Sequence, residues 1–232
     1  MPKQLCVIIG FGAGVGAGAA KAFANAGYHL ALLSRTPAKT EAVVSEISST
    51  VQAGGQSNSI SIETYACNAG SEESLRAALN VVKEQQGEPT VLIYNAVAPT
   101  FVMPTQLTAE QLNNDFKVNV AGALVAALTV LPQMQSVKAG SLLFTGGGWA
   151  HYPAAIAASP SIGKAGLRSL AFTLAEELQG SGIKVGLLSI MGSVERGTDF
   201  DPDEIGKGFL KLHQAPVEGF EVEHFFKGPE TV

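Results

Sequence analysis

The chain has 232 residues, 46% of them hydrophobic and 15% charged, with a net charge of −5. That hydrophobic content at so small a net charge excludes a disordered chain. The lack of a basic excess removes the field that draws in nucleic acid or an anionic membrane, so neither is expected as a partner. Glycine is abundant at 26 residues, but it clusters instead of recurring every third position, which excludes a collagen-like repeat.

In chain order, Leu5–Ile9 is a continuous apolar run ending at Gly10, the pattern of a strand buried on both faces. The uncharged stretch from Leu5 to Ala20 holds five glycines. Those glycines spoil a signal helix, and the stretch is shorter than the roughly 20 residues of a membrane span. It reads as strand, turn and helix, and a cytoplasmic protein is expected. A helix follows over residues 17–26, stopped by Gly27, then a strand over 28–34. Thr36-Pro37 opens a helix to about Gln52, broken by Gly54-Gly55, and residues 60–66 form a third strand.

Ser71 with Glu72 and Glu73 starts a helix that ends near Gly87, and residues 90–94 form strand four. Thr108 and Gln111 make a capping box for one long helix over 108–134. Strand five covers 141–145. A helix over 161–178 carries Leu167, Leu170, Leu174 and Leu178 on one face. Ile183–Ile190 is strand six, 202–213 a helix and 220–226 a last strand. Strands alternating with helices predict an α/β doubly wound, mostly parallel seven-stranded sheet with helices on both faces, one domain over 1–232.

Cys6 and Cys67 sit in apolar runs and read as buried free thiols. The histidines His29, His151, His213 and His224 have no metal-ligand spacing, so no metal is expected. The chemistry concentrates in Gly10-Phe11-Gly12-Ala13-Gly14-Val15-Gly16, between the first strand and the first helix. A dinucleotide pyrophosphate would rest there on the helix N-terminus. Several registers compete. GxGxxG counted from Gly10 fails at Val15, and counted from Gly12 or Gly14 it reaches Ala17 or Ala19 but starts past the strand. The spacing Gly10-x3-Gly14-x-Gly16 puts its first glycine directly after the strand.

The second strand runs out into Ser34-Arg35-Thr36, with Lys39 beyond and no acid before Glu41. A carboxylate there would suit the ribose hydroxyls of NAD(H). A guanidinium flanked by hydroxyls suits a 2′-phosphate instead, so NADP(H) is favoured over NAD(H).

These residues resemble the short-chain dehydrogenase/reductase family, with its Rossmann-type fold, across nearly the whole chain. The family's TGxxxGxG loop is similar to the run from Ile9 to Gly16, lacking only the threonine. The resemblance places Asn68 at the adenine-contacting acid and Asn95 and Ala96 in the NNAG motif. It places Asn119 at the asparagine of the fourth helix, Met191-Gly192 at a Pro-Gly, and Lys164 at the lysine of YxxxK. It implies catalytic or ribose-binding roles for Lys164 and a catalytic role for Asn119. It also implies a homodimer or homotetramer, built through the 108–134 and 161–178 helices.

The family's tyrosine falls on Pro160 and its serine on Gly147. Proline has no proton to donate to the oxygen that gains charge as hydride reaches a carbonyl. Tyr152 is the first candidate substitute, with His151, Ser161 and Thr145 behind it. Residues 193–210 are expected to form a substrate lid, and Trp149 and Phe101 to line an apolar pocket. The expected function is an NADP(H)-dependent short-chain oxidoreductase for a carbonyl or alcohol with a non-standard proton donor. The alternative is a catalytically inactive NADP(H)-binding sensor or scaffold, and epimerisation or dehydration on the same fold stays open.

Overall fold

In the computed structural model, which describes residues 4–53 and 60–229, the apolar runs form a sheet of seven strands. The strands are β1 (Leu5–Ile9), β2 (His29–Ser34), β3 (Ile62–Ala66), β4 (Val91–Tyr94), β5 (Gly140–Thr145), β6 (Ile183–Ile190) and β7 (Glu223–Phe226). Their order is β3-β2-β1-β4-β5-β6-β7, and every pairing is parallel. The expected doubly wound architecture is therefore the observed one.

The helices are α1 (Val15–Asn25), α2 (Glu41–Ala53), α3 (Glu72–Gln86), α4 (Ala109–Phe116), α5 (Gly122–Val137), α6 (Ala158–Glu177) and α7 (Pro202–Gln214). Because strand side chains alternate, β1 sends Leu5, Val7 and Ile9 to a core shared with α3, α5 and α6. It sends Cys6 and Ile8 to the other core, with α1, α2 and α7. Burial on both faces explains why β1 and β4 read as unbroken apolar runs. Strand order reverses beside β1: β2 and β3 lie to one side, and the chain returns as β4 on the other. Ligands of such sheets bind at that crevice, beyond the carboxyl ends of the strands.

Several boundaries differ from expectation for physical reasons. The expected helix over 36–52 opens as a 3-10 turn, Pro37–Thr40, before α2; the Gly54-Gly55 break lies outside the described residues. The long helix expected over 108–134 is interrupted by a π-helical turn, Lys117–Ala121, between α4 and α5. There the Val118 carbonyl accepts from the Tyr94 hydroxyl at 2.5 Å, and a Cβ on Gly122 would stand 2.2 Å from the Ala69 carbonyl oxygen. α6 starts before Pro160, which sits in the first turn, where no intrahelical N–H is needed.

The span expected as a lid, 193–210, overlaps the helix expected over 202–213, and that helix is present. Residues 202–210 belong to α7, which lies backbone to backbone on α1. A Cβ on Gly18 would fall 1.7 Å from the Pro202 carbonyl oxygen, and one on Gly206 2.1 Å from the Gly18 oxygen. Lys21 Nζ donates to Asp203 at 2.6 Å across this crossing. Only the loop over 191–201 is left to cover a site.

Candidate active site

Gly10 turns the chain at the end of β1 with φ +85°, and a Cβ there would lie 2.4 Å from the Ala96 nitrogen. Only glycine fits so close to the end of β4 in that left-handed conformation. The Gly10 carbonyl accepts from Asn95 Nδ2 at 2.9 Å, while Asn95 Oδ1 accepts from Thr145 Oγ1 at 2.9 Å. Asn95 thus ties together the ends of β1, β4 and β5. Gly16 packs where a Cβ would stand 3.1 Å from the Gly10 oxygen, whereas nothing lies within 4 Å of a Cβ on Gly12 or Gly14. These roles match the register with Gly10 directly after the strand, Gly16 at the helix contact, and Gly12 and Gly14 facing open space. Ala13 is exposed on the rim, and Val15 begins α1. No side chain caps Gly14 and no acid occupies the first turn of α1, so nothing at that helix end competes with an anion.

Beside this loop is a cavity of about 250 Å³, lined by Gly10, Phe11, Ser34, Arg35, Asn68 and Ala96 among others. The Ser34 hydroxyl is buried and has no hydrogen-bond partner among the described residues, an exception in folded proteins that leaves it able to accept or donate to a polar group. Arg35 beside it is exposed. Asn68 is exposed as well, its Oδ1 accepting from the Gly70 N–H at 3.0 Å. Cys67 also lines this cavity as a free thiol, pushed up to about 11 by burial. The orphaned hydroxyl, the exposed guanidinium and the open glycines together fit the phosphorylated end of a dinucleotide.

A larger cavity of about 620 Å³ adjoins the first, the two sharing Asn95 and Val97. Phe101 and Trp149 meet edge to face at its mouth, 5.9 Å between centroids, as expected of an apolar pocket. Pro99, Met191 and Val194 extend the apolar wall, and the one charged side chain in the lining is Lys164. Lys164 Nζ donates to the Thr145 carbonyl at 2.5 Å, and burial pulls its ammonium down to about 8. Asn119 is buried, exchanging hydrogen bonds with the Ala98 backbone at 2.8 and 2.9 Å. Its amide abuts Gly163, one residue before Lys164, and a void of about 10 Å³ separates it from Lys164.

Pro160 and Gly147 both line the large cavity, and among the described residues no tyrosine does. Tyr152 is not brought to it: the residue is 73% exposed and does not line the cavity. His151 is turned away too, its Nε2 2.7 Å from Glu223 Oε1. Ser161 Oγ accepts from the Ala154 N–H at 3.3 Å, and the Thr145 hydroxyl, which does face the cavity, is committed to Asn95.

One group escaped the sequence reading. Glu223 of β7 is buried and accepts from Ser189 Oγ at 2.6 Å and from Arg168 Nε at 2.8 Å, besides its contact with His151. Burial pushes its carboxyl up, but the hydrogen bonds from Ser189, His151 and Arg168 outweigh that and hold it below the usual range. Partners drawn from the β5 loop, β6 and α6 leave no local sequence signal.

A family model described as short chain dehydrogenase matches residues 4–198. The chain is 28% identical over 214 residues to a very-long-chain 3-oxoacyl-CoA reductase of Aspergillus fumigatus, covering 88% of this chain and 59% of that protein. An oxidoreductase of Sarocladium schorii is 26% identical over 209 residues, covering 90% and 78%. The chain spans about three fifths of the length of the first of these relatives. Among solved structures, a metagenomic short-chain oxidoreductase in complex with NADP superposes with a TM-score of 0.84 at 26% identity, over 96% of each chain. A short-chain dehydrogenase from Rhodopseudomonas palustris shares the fold with a TM-score of 0.83 at 24% identity, over 97% and 98%.

Proposed function

The chain belongs to the short-chain dehydrogenase family, and from that premise we propose that it is an NADP(H)-dependent oxidoreductase interconverting a carbonyl and an alcohol. The observation that carries the reading is the joining of the two cavities at Asn95: a cradle with an orphaned hydroxyl opens into an apolar chamber that holds one cation. The open backbone from Gly10 to Gly16 and the α1 N-terminus would hold the pyrophosphate. Ser34 and Arg35 would take the 2′-phosphate, and Asn68 and Ala96 would flank the adenosine half. When bound, the nicotinamide supplies or accepts hydride.

The residues of this chain do the remaining work. Asn95 fixes the floor between the two cavities. Lys164 places a positive charge beside the chamber, where it favours a carbonyl oxygen that gains negative charge. Phe101, Trp149, Val194 and Met191 offer apolar surface to a substrate. With a single cation in the lining, this chamber suits a neutral, hydrophobic carbonyl compound better than a phosphorylated thioester.

A second reading, a cofactor-binding protein without turnover, is favoured by one observation, the lack of a tyrosine hydroxyl on the chamber wall. A panel of neutral ketones and aldehydes assayed for NADPH oxidation separates the two. Turnover supports the enzyme, and NADPH binding with no turnover across the panel supports the sensor. We also read Leu124 and Leu128 of α5 with Ile162 and Phe172 of α6, all exposed apolar residues, as the face through which copies associate. A monomer by sedimentation would remove that reading.

A further inference from the structure

The chamber needs a proton donor if it is to reduce a carbonyl, and its wall can be searched group by group. Pro160, one helical turn before Lys164, lines the chamber and carries no side-chain proton. The Thr145 hydroxyl is committed to Asn95, and the Asn95 amide to Gly10. The remaining protic side chains of the lining are Ser193 in the exposed loop and the Trp149 indole. A hydroxyl with no activating base, or an indole N–H, holds its proton far too tightly near neutral pH. Lys164 differs. Its ammonium has three N–H bonds, one of which is given to the Thr145 carbonyl.

We propose that Lys164 is itself the proton donor of this site, acting where a tyrosine hydroxyl is absent; the proposal rests on the oxidoreductase reading above. As the carbonyl carbon receives hydride from the reduced nicotinamide, the C=O electron pair moves to oxygen. That oxygen then takes the proton of Nζ: an N–H bond breaks and an O–H bond forms. The alcohol leaves a neutral amine, which regains its proton from solvent entering the open chamber. In the oxidative direction the neutral amine accepts the same proton.

The surroundings favour this role. Thr145 and Gly147 face Lys164 from β5 and its loop, Ala96 and Val97 from the segment after β4, Asn119 from the π-helical turn, and Pro160 and Leu167 from α6. None of these is titratable, so no carboxylate holds the proton on the lysine. Desolvation alone acts on it and lowers it to about 8, where a donor both carries its proton and releases it readily.

The test combines two measurements on the unaltered protein with one variant. Turnover of a neutral ketone should be level at low pH and fall about tenfold per pH unit above about 8. A profile that stays level up to the ordinary lysine value of 10.5 overturns the proposal. A side-chain NMR titration of Lys164 in the cofactor-free protein should show a midpoint near 8, and one at 10.5 overturns it.

Lys164→Arg keeps the cation but replaces a group that can release its proton with one that cannot. It should lower kcat by about 100- to 10,000-fold while NADPH affinity changes by no more than about threefold. Turnover within about tenfold of the parent overturns the proposal and leaves the oxidoreductase reading intact. Tight NADPH binding with no turnover of any carbonyl overturns both. If Lys164→Arg does not fold, the pH profile and the titration decide.

Discussion

The Glu223 carboxylate accepts from His151 Nε2 at 2.7 Å, joining residues 72 positions apart. The same carboxylate holds Arg168 and Ser189, so one buried anion fastens the loop carrying Gly147, Gly148 and Trp149 against β7. That loop forms a wall of the chamber. Glu223→Ala should therefore free His151 and strand the Arg168 guanidinium. Breaking a fully buried pair costs roughly 3–5 kcal/mol; the partial exposure of Arg168 brings the expected loss to about 2–3 kcal/mol. The emission of Trp149, the one tryptophan of the chain, should shift to longer wavelength as its loop loosens. Unchanged emission and stability would show that the carboxylate does not hold the loop.

The crossing of α1 and α7 predicts a contrast between two glycines. Gly18→Ala would drive a methyl into the Pro202 backbone, 1.7 Å from its carbonyl oxygen. It should cost at least the roughly 1–3 kcal/mol of overpacking, because neither backbone can yield cheaply. Gly12→Ala meets no atom within 4 Å, so its thermal midpoint should stay within a degree or so of the parent, about the change expected of a neutral surface substitution. Its NADPH affinity should nevertheless fall, because the methyl fills the cradle. Equal stability losses at both positions would refute this division of roles.

Acid should destabilise the fold through His213. Its ring bridges Tyr28 and Ser141 at 2.8 Å each, and burial, with a smaller contribution from the Lys184 charge, lowers it from 6.5 to about 4. The unfolded chain takes up this proton as pH falls through 6.5, whereas the folded one takes it up only near 4. The stabilisation is whole above 6.5 and is lost as pH falls toward 4, up to about 3 kcal/mol. Thermal midpoints across that window should fall steeply for the parent and less so for His213→Gln. Parallel slopes would mean that His213 does not titrate in this way.

Arg35→Ala tests the choice of nucleotide. A charge-assisted hydrogen bond to phosphate contributes about 1.5–3 kcal/mol, so NADPH affinity should drop by roughly 10- to 100-fold. NADH affinity, which lacks that phosphate, should change by less than about threefold. Equal losses would show that Arg35 does not face the 2′-phosphate.

What the amino-acid order reveals depends on the range of the contact. β1 and β4 were legible because both faces are buried and their apolar runs are continuous. The glycine loop was legible because its function needs backbone shape at consecutive positions. The π-helical turn at 117–121 was not, because it answers to Tyr94 and Ala69, which are distant in sequence. The helix over 202–213 was legible, but its docking on α1 was not, because it depends on Gly206 meeting Gly18, far away in sequence. Tyr152 drew notice through its nearness in sequence to Lys164. The loop instead closes on itself through the Tyr152 N–H to the Gly148 carbonyl at 2.8 Å, and Glu223 pulls its histidine toward β7. Lys164 and Asn95 were placed by likeness to the family, and the lattice of hydrogen bonds around them is visible only in the fold.

The central claim is that the cradle beside Ser34 and Arg35 binds NADP(H) and opens onto the chamber walled by Trp149. Titrating the protein with NADPH and, separately, NADH, by tryptophan fluorescence and by calorimetry, tests it directly. The account predicts saturable NADPH binding with a change in Trp149 emission, and NADH at least about tenfold weaker. No calorimetric binding of either nucleotide would contradict the cofactor site itself, and equal affinity for both would contradict the roles given to Ser34 and Arg35.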